Sequence, residues 1–110
     1  MSREGLGSFE LMVLLAILRV GEDAYGVPIA CELKASSGKD VLLGSVYAAL
    51  ERLEAKALVS SRIGDPTPER GGRAKKYFKI TAKGLREVRD TRSTLVKLWR
   101  GLPELRGGTA

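Results

Sequence analysis

Residues 8–20, SFELMVLLAILRV, constrain this chain more than any other stretch. Phe9, Met12, Val13, Ala16, Ile17 and Val20 recur at the three- and four-residue steps of one helical face. Leu11, Leu14, Leu15 and Leu18 make the remaining faces apolar too. A helix that is apolar nearly all round must be covered on several sides. The chain has 110 residues, which suits one domain, and a domain of that size hides only roughly two-thirds of its unfolded surface. A second copy of the chain is therefore expected to cover part of this helix. Ser8 is its expected N-cap and Gly21 its C-terminal stop.

The rest of the chain supplies three more helices and a hairpin. DAYGVPIACELKASSG reads as a second helix, with Asp23 as its cap, Pro28 tolerated in the first turn and Gly38 as its end. Ile29, Ala30 and Leu33 give its inward side. GSVYAALERLEAKALV reads as a third helix, with Val46, Leu50, Leu53 and Ala57 as the buried stripe. Ser45, Ala48, Ala49, Arg52 and Lys56 form its outward face, and Tyr47 sits at the border. LVSSRIG and AKKYFKIT alternate like paired strands. Val59, Ile63, Phe78 and Ile80 are expected to point inward, with Ser60, Arg62, Lys75, Tyr77 and Lys79 outward. DPTPERGGR between them is an irregular tip rich in proline and glycine. A fourth helix is capped by Thr81 and carries a seam of Leu85, Val88, Leu95, Trp99 and Leu102, broken by the polar Arg92. Gly101 and Pro103 weaken its last turn.

Composition excludes several function classes. There is no histidine and one cysteine, Cys31, so an intrachain disulfide is impossible and the usual zinc ligands are missing. Cys31 is expected to be a small buried apolar residue. No Gly-x-Ser-x-Gly, phosphate-binding loop or dinucleotide fingerprint occurs, so neither catalysis nor a cofactor is expected. The run Leu11–Leu18 is too short to span a bilayer and lacks the pattern of a signal peptide. A cytoplasmic protein without membrane contact is the expectation.

Charge is placed unevenly. Of the net +6, residues 1–61 contribute −2, residues 62–89 contribute +6 and residues 90–110 contribute +2. A localised basic field is the electrostatic footprint of a nucleic-acid surface. Charge alone leaves a solvated face equally open. Topology separates the two better. Helices 2 and 3 with their short connection look like a helix-turn-helix, and a basic hairpin directly after them makes a wing. The expected fold is therefore mainly α with a small β-hairpin: a winged helix-turn-helix at 1–80, a C-terminal dimerisation helix at 81–106, and a frayed, disordered tail at 107–110.

The segments LGSFELMVLLAILRVGEDAYGVPI, GSVYAALERLEAKALVSSR and PERGGRAKKYFKITAKG resemble the PadR family of bacterial transcriptional regulators. The likeness is carried mostly by Tyr25-Gly26, Val46-Tyr47, Leu50 with Leu53-Glu54, and Arg70-Gly71-Gly72-Arg73. The chain length resembles the short subfamily with one C-terminal helix. The resemblance implies a homodimer that binds an operator, usually as a repressor of detoxification, efflux or transporter genes, in some members released by a small aromatic or hydrophobic effector. Two positions depart from the family pattern. Ala57 stands where glycine is usual, and a left-handed residue there would cost about 1 kcal/mol or more; a different turn is the expectation. Leu42 stands where a small polar cap is common.

A recognition helix places its N-terminal residues at base edges in the major groove. Ser45, Tyr47, Ala48 and Arg52 are the expected contacts, with Arg52 on a phosphate because Lys56 would repel it. Tyr47 as a core residue with a wet hydroxyl stays open. In the wing, Arg70, Gly71, Gly72, Arg73, Lys75 and Lys76 are the expected contacts, either gripping phosphates or reading a narrow minor groove. The partner is then double-stranded DNA carrying an inverted repeat. Leu11 and Leu15 join Leu85, Val88, Leu95, Trp99 and Leu102 as the expected dimer face. Trp99 is either plain dimer core or the wall of an effector pocket. The competing reading is a winged-helix interaction module whose basic wing meets an acidic protein.

Overall fold

The computed structural model of the chain describes residues 6–64 and 74–106. Its elements are helix α1 (Ser8–Val20), a 3₁₀ turn (Gly21–Asp23), α2 (Gly26–Ser37), α3 (Leu43–Ala55), strands β1 (Val59–Ile63) and β2 (Lys76–Ile80), α4 (Ala82–Trp99), and a final 3₁₀ turn (Pro103–Leu105). This is the expected winged helix-turn-helix order. The inward stripes of α1, α2 and α3 meet in a core of Val13, Leu14, Ile29, Val46, Leu50 and Leu53, closed from the hairpin side by Leu58, Val59 and Phe78.

The starts of two helices differ from the sequence expectation. The N-cap of α1 is Gly7, not Ser8, and the Gly7 N–H donates to Glu10 Oε1 at 3.3 Å. Asp23 does not cap α2. It lies in the 3₁₀ turn, and Tyr25 is the capping residue. The helix cannot start earlier because Ala24 is extended and its carbonyl accepts the Phe78 N–H at 2.8 Å, fastening the segment to β2. Gly38 ends α2 in the left-handed region as expected (φ 74°). Leu42 precedes α3 with no side-chain cap.

The end of α3 corrects another expectation. Ala57 does adopt the left-handed conformation (φ 64°) rather than a different turn. The Leu58 N–H donates to the Leu53 carbonyl and the Ala57 N–H to the Glu54 carbonyl, both at 2.9 Å. These are the two bonds of a Schellman motif, normally completed by glycine. The strained alanine is held from outside. Thr81 Oγ1 donates to its carbonyl at 2.7 Å, and Lys83 Nζ donates to the Lys56 carbonyl at 3.0 Å. The alanines also exchange faces relative to the expectation: Ala49 is fully buried and Ala57 exposed. The left-handed turn moves residue 57 off the helical stripe, and Leu58 takes the buried place.

The strands pair antiparallel in the register Val59↔Ile80, Ser61↔Phe78 and Ile63↔Lys76. Val59 and Phe78 are buried, but Ile63 is 66% exposed, against expectation. It opposes Lys76 at the far end of the ladder, beyond the reach of the core. The fourth helix is capped as expected, with the Gly84 N–H donating to Thr81 Oγ1 at 3.0 Å. Of its residues only Gly84 is buried, where it passes directly against the Leu58 carbonyl. The helix stops at Trp99, Gly101 takes a positive φ, and Leu102 lies beyond the helix. Cys31 is exposed rather than buried, on the solvent side of α2.

Candidate nucleic-acid interface

The outward face of α3 begins with Ser45 and Ala48, both small and exposed. Tyr47 stands beside them, 40% exposed. Its ring lies directly over Gly26, and a Cβ at residue 26 would strike the ring and its hydroxyl. Gly26 is therefore the gap that seats Tyr47 against the start of α2. The hydroxyl end of the ring is therefore packed against the start of α2, while the residue as a whole stays partly at the surface.

Arg52 and Lys56 lie one and two turns further along α3, and the structure gives them a shared partner that the sequence reading missed. Arg52 Nε donates to Glu10 Oε2 and Lys56 Nζ to Glu10 Oε1, each at 2.8 Å. The Glu10 side chain is only 7% exposed. Burial alone pushes its carboxyl up. The hydrogen bonds from Lys56 and Arg52, the Gly7 N–H and the Lys56 charge outweigh that, holding it at about 2. The expected repulsion between Arg52 and Lys56 is offset by the carboxylate they share. Half of the Arg52 side chain still faces solvent (52%). The only hint in the sequence was an acid inside an otherwise apolar helix.

The hairpin carries cations on both faces. On the inward side, Lys76 approaches Glu54 Oε1 at 3.6 Å and lies 5.6 Å from the centre of the Phe78 ring, while Ser61 Oγ donates to Glu54 Oε2 at 2.6 Å. On the outward side, the Arg62 guanidinium sits 4.6 Å over the Tyr77 ring. Tyr77 meets Tyr25 edge-to-face at 5.6 Å. The Lys75 ammonium lies 5.2 Å over the Tyr25 ring. Of the expected wing residues, Lys75 and Lys76 are thus placed on opposite faces. Arg70, Gly71, Gly72 and Arg73 lie outside the described residues.

The expected dimer face is gathered only in part. Leu11 and Leu15 of α1 face Val88, Leu95 and Trp99 of α4 across a groove of about 470 Å³, which Arg92, Val96 and Arg100 complete. Trp99 is 59% exposed at its rim. Leu85 is half-buried nearer the hairpin. Leu102 lines a separate hollow past the helix end, with Trp99 and Leu105.

Comparison with known proteins bears on this arrangement directly. Residues 14–90, from the middle of α1 to the middle of α4, match the Transcriptional regulator PadR-like family. The chain belongs to the PadR-like family. Among solved structures it is similar to a PadR family transcriptional regulator from Eggerthella lenta, at 26% identity and a TM-score of 0.68, covering 89% of this chain and 83% of that one. It is also similar to a PadR-like transcription factor from Bacteroides fragilis, at 27% identity and a TM-score of 0.64, covering 80% and 82%. RosR of H. salinarum shares the fold, at 24% identity and a TM-score of 0.66, covering 90% and 82%. No curated protein sequence matches. As a PadR-like regulator the chain is a DNA-binding transcription factor and not an enzyme. Among the described residues no helix is long and apolar enough to cross a membrane. No group of three or more acidic, Cys or His residues among them could hold a metal ion.

Proposed function

We propose that this PadR-like regulator is a dimeric repressor that grips an inverted-repeat operator with two copies of α3 and two hairpins. The observation that carries the reading is the combination at the start of α3. Ser45 and Ala48 leave room for close approach to base edges, and Tyr47 is seated beside them by Gly26. Arg52 contacts a phosphate with the exposed half of its side chain, as do Lys75 and Lys76 of the hairpin. Arg70, Gly71, Gly72 and Arg73, between the two strands in sequence, would extend the grip to the backbone or the adjacent minor groove. The dimer is closed by residues 81–106 with α1, through Leu11, Leu15, Leu85, Val88, Leu95, Trp99 and Leu102. The apolar groove between α1 and α4 supports this, since it leaves a face that a partner helix would cover. The same groove, with Trp99 at its rim, would admit a small aromatic effector whose binding releases DNA. Genes of detoxification, efflux or transport are the proposed targets, on the strength of the resemblance alone.

Binding to the DNA upstream of the chain's own gene tests the proposal by fluorescence anisotropy across a salt series. A dimer neutralising roughly 6–10 phosphates loses about 10³–10⁵ in affinity between 50 and 200 mM salt. Affinity that ignores salt would favour the acidic-protein reading instead. Tyr47→Ala should weaken binding to that DNA more than to a mixed-sequence duplex. Quenching of Trp99 fluorescence across a panel of planar aromatics tests the effector site; no response would leave Trp99 as plain dimer core.

A further inference from the structure

Among the described residues, most of the cations near α3 and the inward face of the hairpin are already matched to carboxylates: Arg52 and Lys56 to Glu10, Lys76 to Glu54. Arg62 and Lys75 have no carboxylate partner among these residues; each instead rides on a tyrosine ring. The two rings touch edge-to-face, which makes one continuous ladder of Arg62, Tyr77, Tyr25 and Lys75. The ladder joins the first turn of α3, because Tyr25 is followed by Gly26, on which the Tyr47 ring rests. A second glycine serves the other end. Gly64 leaves the space that the Tyr77 ring fills, and a Cβ there would strike the ring.

A guanidinium has five N–H donors, so one held over a ring by its central carbon keeps donors with which to meet an oxyanion. Contact with a ring also limits rotamer freedom before binding, which lowers the entropy lost on contact. We propose that Arg62 extends the Lys75 contact into a phosphate-contact strip on the outward face of the hairpin stem, and that Tyr25 and Tyr77 are the positioning residues that aim it. The strip rests on the reading of α3 as the recognition helix, since its register with the duplex is set through Tyr47. Its ligand is the DNA backbone of any sequence.

The test uses the full chain on two duplexes, its own upstream DNA and a mixed-sequence duplex, with affinity followed across a salt series. Arg62→Ala should weaken binding to both equally and flatten the salt dependence by about 0.9 in log–log slope for each chain engaged. Tyr77→Phe keeps the ring face and should bind like the parent. Tyr77→Leu removes it, and should bind about two- to fivefold more weakly, the equivalent of one exposed cation–ring contact. Thermal melts identify which variants are folded, and Arg62→Ala, at an exposed site, keeps the test valid if Tyr77→Leu is not. An unchanged slope for Arg62→Ala, with Tyr47→Ala still impaired on the upstream DNA, overturns the strip and leaves the recognition helix standing. A parent chain that binds neither duplex overturns both.

Discussion

Glu10 shows how one side chain can tie two helices and set an acid limit on the fold. Its carboxyl titrates at about 2 in the folded chain against an ordinary 4.5. A carboxyl depressed on folding stabilises the native state fully above its unfolded value, and that contribution disappears as pH falls from about 4.5 towards 2. Glu10→Gln should therefore lie well below the parent in urea midpoint at pH 7, with the difference shrinking as pH drops through that window. A constant difference would mean that Glu10 acts by shape rather than charge. Gly26 makes a second prediction at this scale. Gly26→Ala should leave the fold intact, since only the movable end of the Tyr47 ring must shift. It should reduce binding to the upstream DNA, measured beside a melt showing the helices unchanged. Neither residue was visible as functional in the sequence. Periodicity shows which face a residue occupies, but not which distant side chain it meets, and Glu10 and Lys56 are 46 positions apart.

The existence and order of the elements were legible because their signals are local and strong: the apolar periodicity of α1, the stripe Val46–Leu50–Leu53, the alternation of KYFKI, and the caps Gly38 and Thr81. Their ends were less legible, because tertiary bonds set them. Asp23 is a good cap by type, yet the hydrogen bond from Phe78 to Ala24 holds that segment extended and delays α2. Ala57 is a poor left-handed residue by type, yet Thr81 and the Schellman bonds hold it there. The strain that results is testable. Ala57→Gly should raise the stability of the chain by about 1 kcal/mol, read as a higher urea midpoint with an unchanged slope. Gly84 gives the opposite case, because α4 crosses the Leu58 carbonyl at this point and backbone cannot swing aside. Gly84→Ala should lower the midpoint sharply by prising α4 from the hairpin.

At the scale of the whole molecule, the described part of the chain is elongated, 55 × 34 × 20 Å, with Leu95, Val96, Leu98 and Trp99 of α4 all exposed. A single copy leaves Met12, Leu15 and Leu18 of α1 exposed as well. This was the consequence drawn from a helix apolar on every side, and it is the reason for proposing a dimer. If two copies cover these faces, the melting temperature should rise with protein concentration. Trp99→Ala should shift the sedimentation coefficient towards that of one chain. The chemistry of the hairpin tip was readable as charge and glycine but not as geometry, since Arg70 to Arg73 lie outside the described residues. Footprinting of the DNA upstream of the chain's own gene, at low salt, tests the central claim most directly. Two copies of α3 presented by one dimer should protect an inverted repeat with half-sites about one helical turn, roughly 34 Å, apart. Protection of a single unrepeated site, or none, would contradict a dimer that reads DNA through α3.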